Sequence, residues 1–408
     1  MSEGHTEIRE DACSAPDSGR SDVPPLHESD RADTCRRWRL QSLASAFSDM
    51  ATPLSRKSNV RDRLRDNNFD ALRVIFASMV VFFHIGILTG QPALAWMQHL
   101  SATFAVQGFF VVSGFLVSMS FERSSSLSSY WGKRIRRIGP AYITIVVVAS
   151  VFLASFSTYS VSRYFASAGF WDYLANNLLL MNFRATTLPG VFKGNPISAV
   201  NGSLWTIKVE VGFYIAVPII VWLIRKYGWR TILGVVFLGS VVWHLVFGML
   251  GAHDPVGLYA RLAKQLPGEL SFFAGGAWAY YRVLEGRSPS FLLAAVGTLA
   301  YALTSGLVLE VVAPFAVVAL VSWVAIAGPK LPPLGRHGDF SYGIYLYHFP
   351  IVQVLIAVGL FAWSPYTAVL VAIVAVLCCS VVSWFFIESP ALSGHAQHAL
   401  RSRRSLAS

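Results

Sequence analysis

The chain of 408 residues is 54% hydrophobic and only 13% charged, with 28 Phe and 12 Trp and a mean hydropathy of +0.51, a balance that excludes an ordinary soluble domain. Its 33 Lys and Arg against 22 Asp and Glu give a net charge of +11. These cations fall in short segments between apolar runs, which speaks against nucleic acid and fits topology signals, anionic headgroups or phosphate-bearing ligands.

In chain order, residues 1–66 are rich in Ser, Asp, Arg, Glu and Pro and too poor in apolar residues to build a core. They are expected to form a disordered cytoplasmic tail, with no signal-peptide stretch. Within them RRWRLQSLASAF, 36–47, spaces Leu40, Leu43 and Phe47 as a helix that would lie on a membrane surface. Met50 offers an alternative start that would leave a short basic leader.

From residue 70 onward about ten apolar segments follow, near 70–89, 98–120, 139–157, 203–224, 230–250, 262–281, 289–308, 309–327, 340–360 and 366–387. The expected class is an all-α polytopic membrane bundle occupying 67–392, with a basic cytoplasmic tail at 393–408. YLANNLLLMN, 173–182, is too short and polar to cross and reads as interfacial. Lys and Arg fill alternate loops, from Arg61, Arg63 and Arg65 through the run Lys133 to Arg137 to Arg401, Arg403 and Arg404. That alternation places both termini in the cytoplasm. Of the four cysteines, Cys13 and Cys35 lie in the polar tail and Cys378 and Cys379 in an apolar run where packing is expected. Neither disulfide nor metal spacing is present.

Five stretches carry polar groups that an anchor would not need. In NFDALRVIFASMVVFFHIGIL, 68–88, Arg73 and His84 are eleven residues apart. At about 100° per residue they share one face within about 20°, and at ~1.5 Å per residue they stand roughly 16 Å apart along it. A snorkelling arginine and a histidine bonded to another helix would account for the pair equally well. In SYWGKRIRRIGPAY, 129–142, Arg134 and Arg137 at i and i+3 point to one side, and guanidinium forks suit phosphate oxygens. NGSLWTIKVEVGFY, 201–214, puts Lys208 and Glu210 inside the membrane, with Ser203 and Glu210 on a common face. Glu269 in LPGELSFFAGG follows a Pro-Gly pair expected to break a helix and line a cavity. FSYGIYLYHFP, 340–350, aligns Ser341, Tyr345 and His348 on one stripe, where an aromatic belt explains the tyrosines but not the histidine.

Together these motifs resemble the acyltransferase type three family of bacterial integral-membrane O-acyltransferases, over about residues 68–392. Arg73 and His84 reproduce its first-span pattern of arginine, ten residues, histidine. QGFFVVSGFLVS carries Ser113, Gly114 and Phe115, KRIRRIGPAY carries Arg134, Arg137, Pro140 and Tyr142, and SLWTIKVE carries Trp205 and Glu210. SYGIYLYHFP carries Tyr345, His348 and Pro350, and SWFFIESP closes with Glu388 and Pro390. The long N-terminal tail and the lack of an appended hydrolase-like domain depart from some members.

The resemblance implies transfer of an acyl group, commonly acetyl, from cytosolic acyl-CoA as co-substrate, with no permanently bound cofactor, to a carbohydrate hydroxyl on a surface polysaccharide or lipid-linked precursor. It implies a bacterial inner membrane location. Arg73, Arg134, Arg137 and Ser113 are then expected at the acyl-CoA, and His84 as general base. Glu210 would orient His84 or bind the sugar, and His348 would stabilise charge or orient the donor. Trp205, Lys208, Glu269 and Tyr345 are expected on the acceptor side, and the loop 158–202, with Arg184 and Lys193, is expected to select the acceptor. Two other readings stay open: the same chemistry on a small glycosylated or lipid acceptor, and a transporter or flippase with an intramembrane polar path, which would leave acyl-CoA intact.

Overall fold

The computed structural model describes residues 64, 67–254, 257–336 and 338–392, which from 67 onward belong to one compact unit. The expectations for residues 1–63, including the surface helix at 36–47, Met50 and the leading arginines, and for the tail 393–408 fall outside these residues. The architecture is all-helical. Its helices are α1 (Phe69–Thr89), α2 (Ala102–Glu122), α3 (Leu127–Phe152), α4 (Val161–Ala166), α5 (Ala168–Leu178), α6 (Trp205–Tyr227) and α7 (Trp229–Leu250). They continue with α8 (Leu258–Ala263), α9 (Leu266–Leu284), α10 (Phe291–Leu303), α11 (Gly306–Ile326), α12 (Ser341–Ala357), α13 (Leu360–Trp363) and α14 (Pro365–Ser383).

Every one of the ten apolar segments is helical. Seven helical stretches are long and apolar enough to cross a membrane: 69–89, 92–122, 127–156, 205–227, 229–250, 306–326 and 365–392. The 13-residue α10 and 17-residue α12 fall short of that length, and the 19-residue α9, with Glu269 in its first turn and Arg282 in its last, is not apolar enough to be counted among them. At ~1.5 Å per residue, α10 reaches only about two thirds of a 30 Å hydrocarbon core.

Local chemistry sets several boundaries. The Ser101 hydroxyl accepts from the backbone N–H of Phe104 and caps α2, and that of Ser126 accepts from Ser129 and caps α3. Gly90 ends α1 in the left-handed region, φ 58°. The Ser126 cap starts α3 twelve residues ahead of the expected 139, so Lys133 to Arg137 stand on a helix rather than in a loop. Pro140 is carried inside that helix, a cost that neighbouring helices offset in membrane folds.

Two expectations are corrected. Pro267 and Gly268 do not break a helix beside a cavity; Pro267 opens α9, and Glu269 occupies its first turn, where the missing proline N–H costs nothing. Cys378 and Cys379 are exposed rather than packed, because α14 buries the small residues Ala368, Ala372, Val376 and Ser380 instead.

The tightest helix crossing joins α2 to α9. A side chain on Gly114 would strike the backbone carbonyl of Phe273, and one on Gly276 would strike that of Val111. Small residues thus let two backbones touch. The segment 158–202 is firmly seated: the Gln353 amide on α12 donates to the carbonyls of Ile197 and Ala199, both at 2.6 Å, and accepts from Asn195 at 2.8 Å. α5 is tied to α3 where the Tyr142 hydroxyl donates to the Asn177 carbonyl at 2.6 Å.

Candidate active site

A cavity of about 460 Å³ lies between α2, α3, α6 and α12, with Arg73 of α1 on its wall. One end is cationic, lined by Arg73, Lys133, Arg134, Arg136 and Arg137 with Ser120. The other end is walled by Phe109, Thr206 and Tyr345. Eleven residues of α2 separate Ser120 from Phe109, roughly 16 Å of helix.

The expected arginines do not stand free. Asp339, in the turn before α12, receives Arg73 Nη1 at 2.6 Å and also a hydrogen bond from Arg137 Nη2. Ser341 Oγ donates to its other oxygen. Burial by itself raises the Asp339 carboxyl, but Arg137, Arg73 and the Ser341 hydroxyl outweigh it and hold the group well below the usual carboxylate range. Arg137 also lies 3.6 Å from Glu388, which a π-helical turn over Trp384–Glu388 brings inward from the end of α14. Arg134 makes no ion pair among the described residues. Its Nη2 donates to Ser120 Oγ at 3.1 Å, its guanidinium lies 5.5 Å from the centre of the Tyr214 ring, and its Nε is buried without a partner.

Midway along the cavity Glu210 Oε1 accepts from Ser113 Oγ and Tyr214 OH, each at 2.8 Å. Glu210 therefore joins the Ser113 wall and makes no bond to His84. His348 does. Its Nε2 lies 3.0 Å from His84 Nδ1, and its Nδ1 lies 2.8 Å from the Tyr345 carbonyl.

Hydrogen-bond logic fixes the neutral form of this pair. A carbonyl oxygen only accepts, so His348 Nδ1 carries the proton and its Nε2 is a lone pair. His84 Nδ1–H then points to that lone pair and to the Val80 carbonyl, 3.0 Å away. His84 Nε2 is left as a lone pair without a hydrogen bond, the form a general base requires.

Tyr345 separates the histidines from the cavity. Its ring centre is 6.0 Å from that of His348 and 5.8 Å from that of Phe109. Its hydroxyl bonds to Thr206 Oγ1 at 2.7 Å and donates to the Ser203 carbonyl at 3.2 Å. Three expected acceptor-side residues stay outside the cavity lining. Trp205 is half-buried at the start of α6, Lys208 sits 4.7 Å from the centre of the Phe183 ring, and Glu269 is buried near His244 and Lys264.

Sequence reasoning missed Asp339, Tyr214, Thr206 and Ser120. Asp339 had one available signal: an isolated acid two residues ahead of the SYGIYLYH run. Among the described residues no cluster of three His, Cys, Asp or Glu side chains could hold a metal ion.

A family model described as an acyltransferase domain matches residues 66–385. Nodulation protein 10 of Rhizobium leguminosarum bv. viciae is 29% identical over 372 residues, 82% of this chain and 95% of that protein. The O-acetyl transferase of Shigella phage Sf6 is 30% identical over 330 residues, 79% and 95% of the two chains. Peptidoglycan O-acetyltransferase OatA of Listeria monocytogenes is 24% identical over 367 residues, 79% of this chain and 55% of that one. No solved structure matches.

Proposed function

The chain belongs to the acyltransferase domain family and is an O-acetyltransferase embedded in a membrane by several helices; from that premise we propose that it carries acetyl from cytosolic acetyl-CoA to a carbohydrate hydroxyl on the far side of a bacterial inner membrane. The helices of all ten apolar segments then serve as spans, the shorter ones beside locally thinned lipid, with both termini cytoplasmic. The observation that carries this reading is the His84–His348 pair beyond the inner wall of an arginine-lined cavity.

Phosphates of the donor cannot enter hydrocarbon, and the cationic end meets them with Arg134, whose Nε lacks a partner, flanked by Arg73 and Arg137. The pantetheine arm follows the cavity past Ser113 and Glu210. A turn of the Tyr345 and Phe109 rings opens the wall, bringing the thioester to His84. There His84 Nε2 takes the proton of the acceptor hydroxyl as its oxygen attacks the thioester carbonyl. The carbon–sulfur bond breaks, the ester forms, and the CoA thiolate leaves to take up a proton. His348 accepts the Nδ1–H of the resulting imidazolium and steadies its charge. Trp205 and Lys208 contribute to the acceptor side together with the seated segment 158–202. An acceptor on a polysaccharide or its lipid-linked precursor is favoured over a small one by the likeness to the peptidoglycan O-acetyltransferase.

The test is His84→Ala at matched membrane levels, read by acetyl-CoA turnover and by ester content of surface glycans. Turnover should fall by about a hundredfold to ten-thousandfold, with loss of one glycan ester. Normal turnover in a folded variant would remove His84 from the base role, and solute movement with intact acetyl-CoA would favour a carrier.

A further inference from the structure

A second cavity, of about 420 Å³, opens between α7, α9, α10 and α11 and shares no lining residue with the first. Its two ends differ in chemistry. Leu238, Leu293 and Phe315 form apolar lips that are exposed on the outer surface of the bundle, the surface that faces lipid. Arg282, Ser290 and Ser322 gather at the other end, where α9 and α11 finish and α10 begins.

Three features of the polar end lack an internal explanation. Arg282 stands in the last turn of α9, and among the described residues no carboxylate pairs with it. Ser322 is 7% exposed, and its hydroxyl is buried without a hydrogen-bond partner, a desolvated donor that a ligand would satisfy. Ser290 caps the 13-residue α10, whose remaining first-turn N–H groups face the same end and favour an anion.

We propose that this crevice binds an anionic phospholipid of the surrounding bilayer. The phosphate lies against Arg282 and the start of α10, the Ser322 hydroxyl donates to a glycerol ester oxygen, and one acyl chain fills the trough between the apolar lips. Charge and shape agree on this occupant: a guanidinium suits a phosphate, while a 420 Å³ apolar trough open to lipid suits a chain rather than a soluble anion. A neutral amphiphile would leave Arg282 unmatched. Because α9 also makes the glycine-mediated crossing on α2, a bound lipid would brace the helix behind the first cavity.

Native mass spectrometry of the full-length protein in detergent, titrated with phosphatidylglycerol or with phosphatidylcholine of identical chains, tests this. The wild type should bind phosphatidylglycerol more tightly, and Arg282→Gln should lower that binding roughly fivefold, to the phosphatidylcholine level. Ala319→Phe, which fills the trough, should remove both lipids. If that variant does not fold, Arg282→Gln decides alone. Equal binding of the two lipids by the wild type, undiminished phosphatidylglycerol binding by Arg282→Gln, or a second copy of the chain occupying this face in place of lipid would overturn the proposal.

Discussion

Two halves of the bundle treat charge in opposite ways. Around α1, α2, α3, α6 and α12, ionisable groups are buried and bonded across helices: Arg73 and Arg137 on Asp339, Glu210 between Ser113 and Tyr214, His84 on His348. Around α7, α10 and α11, long stretches of Leu, Val and Phe are exposed, and the ion pair between His244 and Glu310 has a half-exposed carboxylate. Burying a charge in a membrane is costly, so a half that does so repeatedly holds those charges for chemistry, while the other half answers to lipid.

The largest effect that would test this contrast is on stability. Asp339→Asn removes the single carboxylate shared by two arginines whose side chains are 24% and 17% exposed. Leaving both partly buried cations without it should cost about 2–4 kcal/mol, read as a lower unfolding temperature in detergent. The pH dependence has a definite sign. Because the folded-state carboxyl is depressed, its contribution is complete above the ordinary Asp value of about 3.9 and fades as pH falls through the lower folded value. The gap between wild type and Asp339→Asn should therefore be flat from about pH 5 to 8 and narrow only in stronger acid. A gap that closes near neutrality would mean the arginines find other partners.

Next in size is His348→Gln. A hydrogen bond to a charged group is worth about 1.5–3 kcal/mol, so losing the acceptor for the His84 imidazolium should lower kcat roughly tenfold to hundredfold. Donor KM should hold, since His348 does not line the cavity. A rise in donor KM with unchanged kcat would move His348 from the proton to the donor.

What was legible in the sequence divides along the same line. Helix positions follow from runs of apolar residues, which are local, and all ten were readable. The shared face of Arg73 and His84, and the pairing of Arg134 with Arg137 on one wall, follow from helix periodicity alone. Partners across the bundle were not readable. Asp339 meets Arg73 from 266 residues away, and His348 meets His84 from 264, so no local pattern could pair them. Periodicity likewise put Glu210 on a face with Ser203, whereas packing against α2 gave it Ser113; Tyr214, four residues on along α6, was within reach of the same periodicity.

The smallest expected effect is the sharpest test of where the two halves meet. Glu269 lies on α9, is 4% exposed, and keeps one carboxylate oxygen buried without a hydrogen bond. Its neighbours are His244 and Lys264 rather than the first cavity, although its place inside the membrane made it an expected acceptor contact. Glu269→Gln keeps the size and removes the charge. If the division holds, kcat and both KM values should stay within about twofold, because no charge pair at the cavity is broken. If Glu269 contacts the acceptor, acceptor KM should rise several-fold while donor KM stays put, since a hydrogen bond from a sugar hydroxyl to a carboxylate is worth about 1.5–3 kcal/mol. That second outcome would extend the acceptor path across α9 and make the lipid-facing half a participant in substrate selection.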